Sequence, residues 1–167
     1  MNKTQQVVKQ LNSYLKKWFA KRDVDVDFDL DRDFSYDWST ETVYYSFLAP
    51  ETHDKQFLRI CQEIEPDLVK CDTFLLSLFH EVGHYLTEAD FEDDEWDDYE
   101  EMTKSFGDDV KDEKEYDRYY KHPIEYEATV AGMEMLMDNA DDIPELLATV
   151  QKYERMFINS LDMKGGN

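Results

Sequence analysis

Cysteine is scarce in this 167-residue chain, which contains only Cys61 and Cys71. Two thiols cannot build a disulfide framework or a four-thiolate zinc site. Long apolar runs are missing too, because no run approaches bilayer length and the N-terminal segment lacks the apolar core of a signal peptide. We therefore expect a cytoplasmic protein without a membrane-spanning segment.

Positive charge is equally scarce. The chain carries 18 Lys and Arg residues against 40 Asp and Glu residues, a formal net charge of -22. A field of this sign repels nucleic-acid phosphates and anionic membranes, and it attracts basic proteins. The composition thus predicts no direct binding of nucleic acid, no membrane contact, and a basic protein as substrate or partner.

The residues that are present suffice for a folded core. Hydrophobic residues make up 41% of the chain and aromatic residues 14%, which is typical of a globular protein rather than an acidic disordered tail. The length suits one domain, and no repeat or Gly/Ser linker divides it. We predict a single domain over residues 1–162, followed by a flexible tail over residues 163–167.

Patterning predicts a mostly helical α+β fold with a small N-terminal β-sheet or hairpin. Between Asp23 and Asp33, aspartate alternates with mainly apolar residues, so a strand there would place six aspartates on one face. A second strand is predicted over Thr42–Ala49, with Ser35–Glu41 as the turn region between them.

Helical periodicity, capping residues and proline positions predict the other elements. The predicted helices cover about residues 4–21, 52–65, 72–87, 111–120, 123–138 and 143–160. Thr52 or His53 is the expected cap of the second helix. Residues 88–101 are interpreted as an acid-rich connection.

The stretch "LFHEVGHYL" carries the chemistry. In a helix, His80 and His84 are one turn apart on the same face, where two imidazoles can bind one zinc ion. Glu81 follows the first histidine and is predicted to be the general base that accepts a proton from the attacking water. Apolar neighbours indicate that this helix is buried, and Gly83 allows another element or the substrate to approach it closely.

A catalytic zinc site needs a third protein ligand, and "HPIEYEATVAGMEML" offers two candidates. Glu125 is favoured because Ala128 and Ala131 follow it at spacings that let its helix pack against the motif helix. Glu127 points about 200° away around the same helix, so only one of the two can serve. It remains the alternative ligand.

His122 and Tyr126 flank the favoured glutamate in the sequence. Both are candidates for contacting the substrate or stabilising the transition state. The sequence specifies no geometry for either side chain.

Together, "HEVGH" and the later Glu-x-x-Ala resemble the Glu-zincin (gluzincin) metallopeptidases, most closely the ImmA/IrrE-type group of mobile elements and stress regulation. The resemblance covers about Phe74 to Leu136. It implies a zincin-like domain, zinc bound by His80, His84 and Glu125, and basic DNA-binding regulators as substrates. Thr129 stands where Asn or Asp is more usual in that group.

The segment Glu88–Glu101 is strongly acidic and interleaved with aromatic residues. Its candidate partner-binding residues are Asp93, Asp94, Glu95, Asp97 and Asp98. A solvated surface is the simplest interpretation, and recognition of a basic protein is the functional one. Calcium binding is disfavoured because the aspartate-rich strand lacks the Gly and closing Glu of an EF-hand.

Two functional hypotheses follow. The first is a zinc-dependent peptidase that cuts a basic regulatory or DNA-binding protein. The second is an acidic, nucleic-acid-mimicking inhibitor or binding protein on a peptidase-like scaffold, in which the zinc is structural or catalysis is absent.

Overall fold

The computed structural model describes residues 1–47, 54–106 and 113–162. The predicted cap residues Thr52 and His53, and the predicted tail over residues 163–167, lie outside these ranges. Contacts group the chain into two compact units: Met1–Ala49 with Asn139–Asn167, and Pro50–Asp138. The assignment of residues 1–162 to one domain stays a prediction.

The predicted mostly helical α+β fold with a small N-terminal sheet is confirmed. In the described ranges the elements are α1 Lys3–Ala20, β1 Asp27–Leu30, β2 Ser35–Asp37, β3 Thr42–Tyr45, α2 Asp54–Ile64, α3 Thr73–Thr87, α4 Asp93–Phe106, α5 Glu113–Tyr120, α6 Pro123–Asp138 and α7 Ile143–Asp162. Short 3₁₀ turns cover Pro66–Lys70 and Glu88–Asp90. No helix within those ranges has the length and apolarity needed to cross a bilayer.

The first unit contains the sheet, in the order β1-β3-β2. β1 runs parallel to β3, with Phe28 opposite Val43, whereas β2 and β3 form an antiparallel hairpin. The turn of this hairpin ends at Glu41, which has a left-handed φ of 49°. The prediction that Ser35–Glu41 is only a turn region is therefore wrong, because its first three residues pair with β3.

The predicted strand over Asp23–Asp33 is also too long. Its alternation is right, since Val24, Val26 and Phe28 are buried between exposed aspartates. Hydrogen-bonded pairing with β3, however, covers only the four residues Asp27–Leu30. The first residues of the segment terminate α1 instead of forming a strand. Asp23 has a left-handed φ of 61°, and the Val24 N–H donates to the backbone carbonyl of Phe19 in α1.

Part of the aspartate face is used inside the first unit. Asp27 pairs with Lys16 of α1 at 2.6 Å, and Asp29 accepts a hydrogen bond from the Asn12 amide at 3.0 Å. Polar side chains of α1 thus reach this side of β1. All six aspartates of the segment are exposed, as predicted, but only Asp27 and Asp29 lie in the strand, and these two make contacts with α1.

The second unit is organised around α3 and α6. Asp72 caps α3 by accepting a bond from the Phe74 N–H at 3.0 Å, and Pro123 occupies the first turn of α6, where its missing N–H costs nothing. Most of α3 is buried, as its apolar sequence predicts.

Two glycines let the α3 and α6 backbones approach each other. A Cβ at Gly83 would lie 1.8 Å from the Ala128 carbonyl oxygen, and a Cβ at Gly132 would lie 2.2 Å from the Phe79 carbonyl oxygen. Each helix therefore presents a glycine to the other helix's backbone. The element that Gly83 was expected to admit is α6.

The acid-rich connection over residues 88–101 is helical, which the sequence interpretation missed. After the 3₁₀ turn at Glu88–Asp90, α4 begins at Asp93. Its first turn carries three acids, which complement the positive end of the helix dipole, and the Glu95 carboxylate accepts the Glu92 N–H at 3.0 Å. The acids that suggested a loop therefore stabilise the start of a helix.

We predict that Gly83→Ala lowers the free energy of unfolding by about 1–3 kcal/mol, because its methyl group overlaps the α6 backbone. In a solvent-exposed helix the same change would be stabilising by up to about 1 kcal/mol. The sign of the change in the free energy of unfolding therefore shows whether α6 contacts Gly83 closely. Urea denaturation followed by circular dichroism measures it. Glu127→Ala, at an exposed position of α6, is the control and should change little; a Gly83→Ala variant as stable as wild type would contradict the close approach.

Candidate metal centre

The two motif histidines lie on one face of α3. The His80 and His84 rings are 4.8 Å apart between centroids, one helical turn from each other. The His80 side chain is 7% exposed and the His84 side chain 14%. Both imidazole side chains are thus largely shielded from solvent.

Glu125 of α6 completes a cluster with these histidines. Its Oε2 atom lies 3.1 Å from His80 Nε2 and 3.4 Å from His84 Nε2, and its side chain is fully buried. Among the described residues, these three form the group whose ligand atoms converge within 4.8 Å. The predicted third ligand is thus brought to the predicted pair by the contact between α3 and α6.

Two of the three separations in the cluster fit tetrahedral zinc. Bond lengths of about 2.0–2.1 Å to nitrogen and oxygen place neighbouring ligand atoms of a tetrahedron about 3.3 Å apart. The two nitrogen–oxygen separations here are 3.1 and 3.4 Å. Three protein ligands of this type leave a fourth position for water or substrate, which is the pattern of catalytic sites.

Thr129 sets the orientation of the His80 ring. Its hydroxyl donates to the Glu125 backbone carbonyl at 2.7 Å and lies 2.9 Å from His80 Nδ1. Because the hydroxyl proton is already used, His80 Nδ1–H is the donor in this second bond. In the neutral ring, Nε2 then directs its lone pair toward Glu125, as a metal ligand requires.

The charges of the cluster call for a cation. Burial alone would raise the pKa of Glu125, but His84 and His80 hold it well below its usual range. Burial alone would lower the pKa of His84, but the Glu125 carboxylate more than reverses this and raises it. A buried carboxylate facing two imidazoles is stable only with a positive charge among them, carried by a proton or by a metal ion.

Glu81 lies beside this cluster without joining its converging atoms. It is 8% exposed, and burial raises the pKa of its carboxyl, opposed by His80 and His84 and reinforced by Glu125. A raised pKa makes a carboxylate a stronger proton acceptor. This environment suits the predicted general base.

The second oxygen of Glu125 has its own partner, Tyr99 of α4. The Tyr99 hydroxyl donates to Glu125 Oε1, and the Tyr119 hydroxyl of α5 lies 3.1 Å from the Tyr99 hydroxyl. Burial, and then the Glu125 charge, raise the pKa of Tyr99 above its usual value, so the phenol remains protonated and able to donate. The two carboxylate oxygens therefore have different partners: Oε2 faces the histidines, and Oε1 accepts from the tyrosine.

The other candidate residues of α6 lie differently. Glu127 is exposed and outside the cluster, and Tyr126 is 40% exposed. His122 is half-buried at the start of α6, where its Nδ1 accepts the Ile124 N–H at 3.3 Å and its ring contacts Tyr99 at 5.2 Å. Of the two residues considered for transition-state contacts, His122 is the one that packs against a partner of the cluster.

The acidic residues of α4 fall into two groups. Asp93, Asp94, Asp97 and Asp98 are exposed, whereas Glu95 is half-buried and bonds to the start of its own helix. The first group remains available to a partner. The same helix carries Tyr99, so this surface and the cluster share one element.

Sequence reasoning missed Tyr99, Tyr119, Thr129 and Gly132 as contributors to the site. A signal existed for Tyr99, because Trp96, Tyr99, Met102 and Phe106 recur at helical spacing within the acidic segment. Thr129 was noted only as a departure from the usual Asn or Asp. Nothing in the sequence linked Tyr119 to Glu125.

Comparison of the chain with protein-family models, curated proteins and solved structures finds no match. The similarity to ImmA/IrrE-type peptidases therefore stays a prediction carried by the motif residues.

We predict that wild-type protein binds about one equivalent of zinc and that Glu125→Gln loses most of it, because the neutral amide removes the anionic ligand. Glu127→Gln, two residues away on the same helix, is the matched control and should retain the metal. Elemental analysis after dialysis measures both, and circular dichroism verifies folding. Equal zinc contents in the two variants would exclude Glu125 as the third ligand.

Proposed function

We propose that this chain is a zinc-dependent peptidase of the HExxH type, similar to the ImmA/IrrE group, acting on a basic regulatory or DNA-binding protein. The observation that carries the proposal is the convergence of ligand atoms of His80, His84 and Glu125 within 4.8 Å of one another. The two nitrogen–oxygen separations, 3.1 and 3.4 Å, suit tetrahedral zinc, and Glu81 lies beside the cluster.

In this assignment each residue has a distinct role. His80, His84 and Glu125 would hold the ion, which when bound polarises a peptide carbonyl and lowers the pKa of water. The Glu81 carboxylate accepts the proton of the attacking water and passes it to the leaving amine. Thr129 keeps the His80 ring in the required orientation through the 2.9 Å bond to Nδ1.

A basic substrate is favoured by charge. The chain has a formal net charge of -22, and four exposed aspartates lie on α4, the helix whose Tyr99 contacts Glu125. A negative field next to a reaction centre raises the association rate of a positively charged protein. DNA-binding regulators present such surfaces, and regulation of a mobile element is the setting that the resemblance implies.

We assign the protein to the cytoplasm. Cys61 and Cys71 are free thiols, as is usual in reducing compartments, and no membrane-spanning helix is present in the described residues.

Glu81→Gln should retain zinc but lower the cleavage rate by about two to four orders of magnitude, because the amide cannot accept the proton. The assay uses a quenched fluorescent peptide library enriched in Lys and Arg, with zinc content measured in parallel. Glu127→Gln is the control and should cleave at the wild-type rate. Unchanged cleavage in zinc-loaded Glu81→Gln would contradict the assigned mechanism.

The second candidate function is an acidic binding protein that occupies a basic surface, as a nucleic-acid mimic would. The observation favouring it is the exposure of Asp93, Asp94, Asp97 and Asp98 on one helix. In this case the metal has only a structural role, or the protein does not catalyse peptide cleavage.

Comparing charge reversal with Glu81→Gln separates the two candidates, because both candidates use the acidic surface of α4 whereas only the peptidase needs Glu81. Replacing the four exposed α4 aspartates by lysine should abolish binding of an Arg-rich peptide under the binding hypothesis, whereas Glu81→Gln should leave that binding intact. Fluorescence anisotropy at fixed salt measures it, since electrostatic affinity depends on ionic strength. Cleavage that disappears in Glu81→Gln would instead favour the peptidase.

A further inference from the structure

We propose that Tyr99 is a positioning residue of the metal centre and that it couples zinc binding to the docking of the acidic helix α4. The inference rests on the proposed function, because it concerns the metal that His80, His84 and Glu125 would hold. It adds a residue from outside both motif helices and a consequence for the charged surface.

The two oxygens of the Glu125 carboxylate have different partners. Both histidines face Oε2, at 3.1 and 3.4 Å, while the Tyr99 hydroxyl donates to Oε1. A carboxylate can ligate a metal through one oxygen or both. With Oε1 engaged by a phenol, Glu125 offers one oxygen, which keeps the ligand number at three and the fourth position open.

Burial of the Glu125 carboxylate is costly unless its oxygens are hydrogen-bonded. Glu125 is fully buried, so each of its oxygens requires a partner. Without the Tyr99 hydroxyl, Oε1 would lose the hydrogen bond that Tyr99 donates, and Tyr119 would be the tyrosine still bonded to the carboxylate. Outer partners of metal-binding residues typically account for about 10–100-fold in metal affinity.

Docking of α4 and metal binding must affect each other reciprocally. If docking of α4 through Tyr99 strengthens metal binding by some factor, metal binding strengthens that docking by the same factor. Tyr99 belongs to the helix that carries Asp93, Asp94, Asp97 and Asp98. Loading the metal would thus hold the acidic surface in place beside the reaction centre.

The aromatic surroundings of Tyr99 make its hydroxyl separable from its packing. The ring contacts Trp96 at 6.1 Å, Tyr119 at 6.2 Å and His122 at 5.2 Å between centroids. Phenylalanine can preserve these ring contacts. A Tyr99→Phe substitution therefore removes the bond to Glu125, together with the hydroxyl contact to Tyr119, while keeping the shape of the site.

The test compares wild type, Tyr99→Phe and the control Tyr153→Phe by chelator competition for Zn²⁺. Tyr153 lies on α7 and its ring contact with Lys152 does not need the hydroxyl. We expect about a tenfold or greater loss of zinc affinity in Tyr99→Phe and no change in the control. The visible spectrum of the Co²⁺-loaded proteins should also differ, with Tyr99→Phe losing tetrahedral intensity as Glu125 binds through both oxygens.

Hydrogen exchange tests the coupling. Zn²⁺ should slow exchange of α4 amides about tenfold in wild type and much less in Tyr99→Phe. Wild-type zinc affinity and Co²⁺ spectrum in Tyr99→Phe, or α4 exchange unaffected by zinc in wild type, would overturn the inference while leaving the metal site intact. Absence of zinc binding by wild type would overturn the proposed function and this inference together.

Discussion

The candidate site depends on the backbone contact between α3 and α6. Gly83 and Gly132 each lack the Cβ that would strike the other helix, so the two backbones meet without intervening side chains. Only at this separation does the Glu125 carboxylate reach both imidazoles of the motif. A larger residue at either glycine would move the helices apart and separate Glu125 from the two histidines, because close-packed interiors leave no room for local adjustment.

Around that contact, the polar groups of the site are paired atom by atom. Oε2 of Glu125 faces the histidines, Oε1 accepts from Tyr99, and Thr129 links the His80 ring to the α6 backbone. Such pairing is what makes a fully buried carboxylate tolerable. The exposed aspartates of α4 need no such partners, because they remain hydrated. They act through the electrostatic field that they create.

The helices were largely predictable because their signals are local. Pro123 and Asp72 mark helix starts within one turn, and apolar periodicity identifies the buried faces of α1, α3 and α7. The strands and α4 were harder for identifiable reasons. The length of β1 depends on its partner β3, a long-range property, and the acids of α4 suggested a solvated connection although they stabilise the first turn of a helix.

Sequence alone placed His80 and His84 side by side, since residues four apart are neighbours in any helix that contains them. It also favoured Glu125 over Glu127, through the small residues beside it. Only the tertiary structure decided which atoms converge, that Thr129 orients His80, and that Tyr99 takes the second carboxylate oxygen. The reason is physical: spacing within a helix is set by backbone geometry, whereas distances between helices are set by which side chains are absent at their contact.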